Sequence, residues 1–107
     1  MNTGRDKTSE FVNRIEKLID SISDSGTVTD SVGDEHNEKD YLKYLVKNAN
    51  ELIHYGEWLI ALEILLDNLA EVNYKLDNDI WSLAKSASLY APQGWEYDDV
   101  LLAILQG

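Results

Sequence analysis

Along most of this chain apolar residues recur at three- and four-residue intervals, the spacing of one face of an α-helix. The first series is Phe11, Val12, Ile15, Leu18, Ile19 and Ile22, with Ser9 before it as an N-cap, and it predicts a helix over residues 10–23. The pattern then stops. Residues 24–37 are rich in Ser, Thr, Gly and Asp, with Val28 and Val32 as isolated aliphatics, and read as a flexible loop without strands. Gly26 to Val32 is too polar and too interrupted by Gly for strand alternation. Helix 1 is therefore expected to be loosely attached or to dock through a face of its own.

Periodicity returns with Tyr41, Leu42, Leu45, Val46, Ala49, Leu52 and Ile53, a second helix over residues 38–54 opened by Asn37 or Asp40. Tyr55-Gly56 is a turn, where Gly takes a positive φ and stops the helix. A third helix over residues 57–73 buries Trp58, Leu59, Ala61, Leu62, Leu65, Leu66 and Leu69. Asp77 caps a fourth over 78–90, with Ile80, Trp81, Leu83, Ala84, Ala87 and Leu89 inward. Ala91-Pro92-Gln93-Gly94 ends it, because Pro lacks a donor and Gly frees the backbone. A fifth helix over 96–105 rests on Val100, Leu101, Ile104 and Leu105. Short connections imply antiparallel neighbours. The expected fold is all-α: one domain over residues 1–107, a compact antiparallel bundle of about five helices. Residues 38–107 form its core, behind the N-terminal helix of residues 1–23 and the flexible acidic loop.

Charge changes the picture. The 107 residues hold 20 acidic and 9 basic groups, a net charge of -11. Binding to nucleic acid needs clustered Lys and Arg, and docking on anionic lipid needs them too, so neither partner is expected. A field of this sign favours basic proteins or cations. Residues 51–107 contain ten acidic groups against Lys75 and Lys85, and no Lys or Arg stands between Asn48 and Tyr74. Glu63, Asp67 and Glu71 follow one another at i, i+4 steps with no interleaved cation. Like charges at that spacing cost a helix a few tenths of a kcal/mol per pair, so this face reads as one kept negative for a positive partner.

Candidate chemistry is sparse. There is no Cys, which excludes disulfides, thiolate metal sites and Cys nucleophiles. His36 lies in the polar loop and reads as solvated. Glu51 and His54 share a helical face as in di-iron bundles, but those sites need two such pairs and two further Glu. Asp30 to Asp40 is acidic enough for calcium, yet an EF-hand loop starting at Asp30 would place Val32 at position 3 and Glu35 where Gly belongs. No phosphate cradle or catalytic triad is present. No catalysis, metal or cofactor is expected. Residues 1–10 are polar, without the apolar core of a secretory signal, and no apolar run is long enough to span a membrane, so a cytoplasmic protein is expected. Of the three tryptophans, Trp58 and Trp81 stand in apolar stripes and are expected in the core. Trp95, beside Glu96, Tyr97, Asp98 and Asp99, is either a lid on the bundle or an aromatic anchor ringed by charge.

The pattern Gly56-Glu57-Trp58-x-x-Ala61-Leu62-Glu63-x-Leu65-x-x-Asn68-Leu69 resembles the signature of MafI-type immunity proteins, small helical proteins of bacterial polymorphic-toxin and contact-dependent growth-inhibition systems. The resemblance spans residues 38–90 and is sharpest over 56–69, and the acidic region of residues 1–37 has no counterpart in it. Its first half also occurs in tetratricopeptide-type hairpins. The resemblance implies an antitoxin that neutralises a cognate toxin domain, the C-terminal domain of a large effector. The toxin would be a basic ribonuclease or other nuclease, and the mechanism stoichiometric occlusion of its active site or substrate channel. The signature then holds the scaffold, with Glu57 favourable at the start of helix 3 and Asn68 satisfied near its end. Recognition falls to Glu63, Asp67, Glu71, Asp77, Asp79, Trp95, Glu96, Asp98 and Asp99. The alternative is a helical-hairpin interaction adapter with no inhibitory role.

Overall fold

A computed structural model of the chain describes residues 3–92 and 97–107, with residues 97–99 as backbone only. The described residues form five helices and a small sheet: α1 (Thr3–Ile19), β1 (Thr27–Thr29), β2 (Glu35–Asn37), α2 (Glu38–His54), α3 (Trp58–Glu71), α4 (Asn78–Ser88) and α5 (Tyr97–Leu105). The protein is thus mostly helical, but the strands make it not strictly all-α.

Three helices follow their sequence signals closely. Asn37 caps α2, its side chain accepting from Asp40 N at 2.9 Å. Gly56 turns the chain with φ +83°, and its N–H donates to Ile53 O at 3.0 Å. The end of α3 is closed by Asn73 at φ 51°, a left-handed position Asn tolerates, with Tyr74 N donating to Leu69 O at 2.9 Å. Asp77 caps α4 by accepting from Ile80 N at 2.9 Å.

The first helix departs from expectation. It begins seven residues before Glu10, so Ser9 lies inside it rather than capping it. The extra turns are held by tertiary packing: Gly4 lies under the indole of Trp58, and Thr8, fully buried, donates its hydroxyl to Gly4 O at 2.8 Å. Nor is α1 peripheral. Phe11, Val12 and Ile15 are fully buried, and the helix packs against α2, α3 and α4. In turn α2 packs on α3, α3 on α5, and α5 on α4, so the five helices close a ring around one core. The side chains of Leu62, Leu66, Leu69, Leu42 and Leu105 fill its centre.

The loop after α1 is a β-hairpin, which corrects the expectation of a flexible segment without strands. The strands are antiparallel, with Thr27 opposite Asn37 and Thr29 opposite Glu35. Its organiser is one side chain. Asp30 Oδ1 accepts from Val32 N at 3.1 Å and Asp34 N at 3.0 Å, while Gly33 turns with φ +92°. Each strand is only three residues long, with Val28 the half-buried centre of β1, so the alternation is too short to read in the sequence. A local Asx-type bond closes the turn. The hairpin is fastened to α2 by Glu38 N donating to Gly26 O at 2.8 Å and Asn37 Nδ2 donating to Asp24 O at 2.7 Å.

Two apolar assignments also change. Leu89 is exposed because α4 ends at Ser88, before it. On α5 the buried residues are Leu101, Leu102 and Leu105, and Val100 is exposed. Leu76 N donates to Leu105 O at 2.8 Å and Trp81 Nε1 to Leu102 O at 2.7 Å, which fixes that rotation and runs α5 antiparallel to α4.

Candidate interaction surface

The outer surface of the α2–α3 hairpin follows from two helical stripes. On α2 the buried series Leu42, Leu45, Val46, Ala49 and Ile53 faces the core. Lys39, Lys43 and Lys47 lie on the flank toward α1, where Lys43 and Lys47 line a shallow groove with Glu16, Ile19 and Asp20. Asp40, Tyr44, Glu51 and Tyr55 are exposed on the side of α2 away from the core, and Asp40 and Tyr44 line a depression with Tyr41, whose phenol reaches α3. On α3 the buried stripe is Ala61, Leu62, Leu65, Leu66 and Leu69, which leaves Ile60, Ile64, Asp67 and Glu71 facing outward.

The two helices meet in a fixed register. Tyr41 donates its phenol to Asn68 O at 2.8 Å, and Asn68 Nδ2 donates to Ile64 O at 2.8 Å. The antiparallel run of the helices therefore sets Tyr44, one turn further along α2, level with Ile64, one turn back along α3. Tyr44 is 65% exposed, Ile60 43% and Ile64 36%, large apolar side chains left out of the core.

At the end of this face sits the β-hairpin. Its tip docks on α3: Ser31 N donates to Glu71 Oε1 at 3.2 Å, and the Ser31 hydroxyl bonds the same oxygen. His36 is not simply solvated, because its Nε2 lies 2.9 Å from Asp30 Oδ2 and its ring 5.2 Å from that of Tyr41. The His36 hydrogen bond, helped by the Asp34 and Val32 N–H groups, holds the Asp30 carboxyl below the usual carboxylate range despite some desolvation. Burial, with the charges of Glu71 and Asp30, pushes the Tyr41 phenol up. His36, Asn37, Asp40, Tyr41 and Tyr44 line a shallow depression beside the hairpin.

The recognition residues expected from sequence do not converge. Asp67 and Glu71 are exposed on the outward face of α3, while Glu63, one turn before Asp67, is half-buried. Glu71 is already engaged by Ser31. Asp77 is occupied as the cap of α4, with Asp79 exposed in its first turn. Asp98 and Asp99 open α5, whose far end is the one paired with Leu76, so they stand at the other end of the helix pair from Asp77 and Asp79. Trp95 and Glu96 lie outside the described residues. Trp58 and Trp81 are partly buried against the core, and the Lys85 ammonium stands 5.9 Å from the Trp81 ring centre.

Sequence reading missed Tyr44, Ile60 and Ile64. The signal was present: all three fall off the buried stripe of their own helix, on the side that carries the acids. Among the described residues no group of three His, Asp or Glu could hold a metal ion, and no helix is long and apolar enough to cross a membrane. Comparison of the chain with protein-family models, curated proteins and solved structures returns no match.

Proposed function

We propose that this protein is an immunity protein, which binds a basic toxin domain in stoichiometric complex and blocks its active site or substrate channel. One observation carries the reading: the stretch from Asn48 to Tyr74 has no Lys or Arg, and folds so that Asp67 and Glu71 face solvent on α3. Nucleases need positive surfaces to hold phosphate, and carboxylates can occupy those surfaces as phosphate mimics. Attraction between such surfaces speeds capture, which an inhibitor protecting its own cell requires. The resemblance of Gly56 to Leu69 to MafI-type immunity proteins supports the same reading.

Co-expression tests it. Cells producing the toxin domain encoded beside this gene are expected to survive when they also produce this chain, and the purified pair to elute as a complex. Binding without survival would favour an interaction adapter. Neither binding nor survival would overturn the proposal.

A further inference from the structure

We infer that the outer face of the α2–α3 hairpin is a docking surface for a basic protein, with Tyr44, Ile60 and Ile64 as its apolar centre. The inference deepens the proposed function, on which its partner class rests. Single exposed aliphatics are ordinary on protein surfaces. Here Ile60 and Ile64 are adjacent, one turn apart on α3, and the Tyr41–Asn68 hydrogen bond brings Tyr44 level with them. Partly buried Tyr41 and Leu52 lie along the same seam.

Charge selects the occupant. Around this centre stand Glu57 and Asp67, exposed at the start and on the outer face of α3, and Asp40 and Glu51, exposed on α2, whose Lys43 and Lys47 line a groove with α1 residues. A second copy would set a like-charged surface against this one and be repelled, since the chain carries a net charge of -11 and α3 holds no Lys or Arg. A partner carrying Lys and Arg around an apolar patch meets no such repulsion. Its arrangement would match that of interfaces in general, an apolar centre within a polar rim. The surface keeps Asp67 from the residues expected in sequence and leaves out Asp77, Asp79, Asp98 and Asp99.

The test places a photo-crosslinking residue at Ile64, and as a control at Asp79, in the full chain expressed in its native host beside the survival assay. Position 64 is expected to crosslink to a basic protein. That protein, purified, is expected to bind the wild-type chain and to bind Ile60→Ser/Ile64→Ser at least about tenfold more weakly. Asp67→Lys is expected to slow association several-fold, and the loss to shrink at high salt, with Asp79→Lys near wild type. If the protein is the toxin domain, surface and function stand together. If it is another basic protein, the surface stands and the immunity reading falls. No adduct from position 64, adducts only between copies of this chain, or weakening by Asp79→Lys but not by the isoleucine pair would overturn the surface, whatever the survival assay gives.

Discussion

Tyr74 donates its phenolic hydrogen to Glu38 Oε2 at 2.6 Å, so the segment leaving α3 is tied to the first turn of α2 across 36 residues. Burial pushes the Tyr74 phenol up well beyond the usual tyrosine range, and the bond to Glu38 adds to the shift. The folded state therefore holds this proton more tightly than the unfolded chain does. Its contribution to stability is complete below the unfolded value, about pH 10, and is lost as pH rises through the folded value. Absorbance titration of the phenolates is expected to show Tyr74 ionising last, only as the protein unfolds, with Tyr41 also above the usual range. Tyr74→Phe should remove that late step and flatten the loss of stability above pH 10.

Gly4 is sealed by Trp58. A Cβ built on Gly4 would stand 2.6 Å from two carbons of the indole ring, so the ring must move. Gly4→Ala is expected to destabilise the fold by about 1–2 kcal/mol: overpacking costs about 1–3 kcal/mol and the better helix propensity of Ala returns up to about 1. Chemical denaturation measures it. Trp58→Phe, which vacates the space, should make the second change cheaper than the sum of the two, a coupling read from the double-mutant cycle.

The cap of α4 offers a cleaner case. Asp77→Ala leaves Ile80 N without its side-chain acceptor and should cost about 1 kcal/mol, whereas Asp77→Asn, which keeps the acceptor, should cost only a fraction of that. Thermal melts followed by circular dichroism distinguish the two.

The β-hairpin hangs on Asp30. Because His36 holds its carboxyl below the usual range, the hairpin bonds should persist through mildly acid pH and fail only as pH falls through that lowered value. Asp30→Ala is expected to speed amide exchange at Val32 and Asp34 with little change in the helices. Asp30→Asn, which retains the Oδ1 acceptor, should protect those two amides better than Ala does.

The helices α2, α3 and α4 were legible because each is written as an apolar stripe with a local start or stop signal: Asn37 and Asp77 cap, and Gly56 turns, where their residue types suggested. What escaped is what tertiary contact alone decides. The start of α1 has no apolar period, since its buried residues there are Gly4 and Thr8, and only Trp58, 54 residues later, gives them a reason to be helical. The hairpin's strands are three residues each, too short for a legible alternation, and one carboxylate, Asp30, closes its turn. The candidate surface was half legible: the acids of α3 were counted and Ile60 and Ile64 stood off the buried stripe. How exposed they are, and that Tyr44 of α2 stands level with them, is decided only by the packed helices. Charge in a sequence can be tallied without a fold; exposure of an isoleucine cannot.

The position of α1 has a consequence for how the molecule is made. This helix packs on α2, α3 and α4, although α4 ends 69 residues after α1 does. At a synthesis rate of about 5–20 residues per second, the flank of α1 that α4 covers waits several seconds for its partner. On that helix Phe11, Val12 and Ile15 are fully buried only once the fold is complete. For this chain, the moment of greatest stickiness comes before the bundle closes.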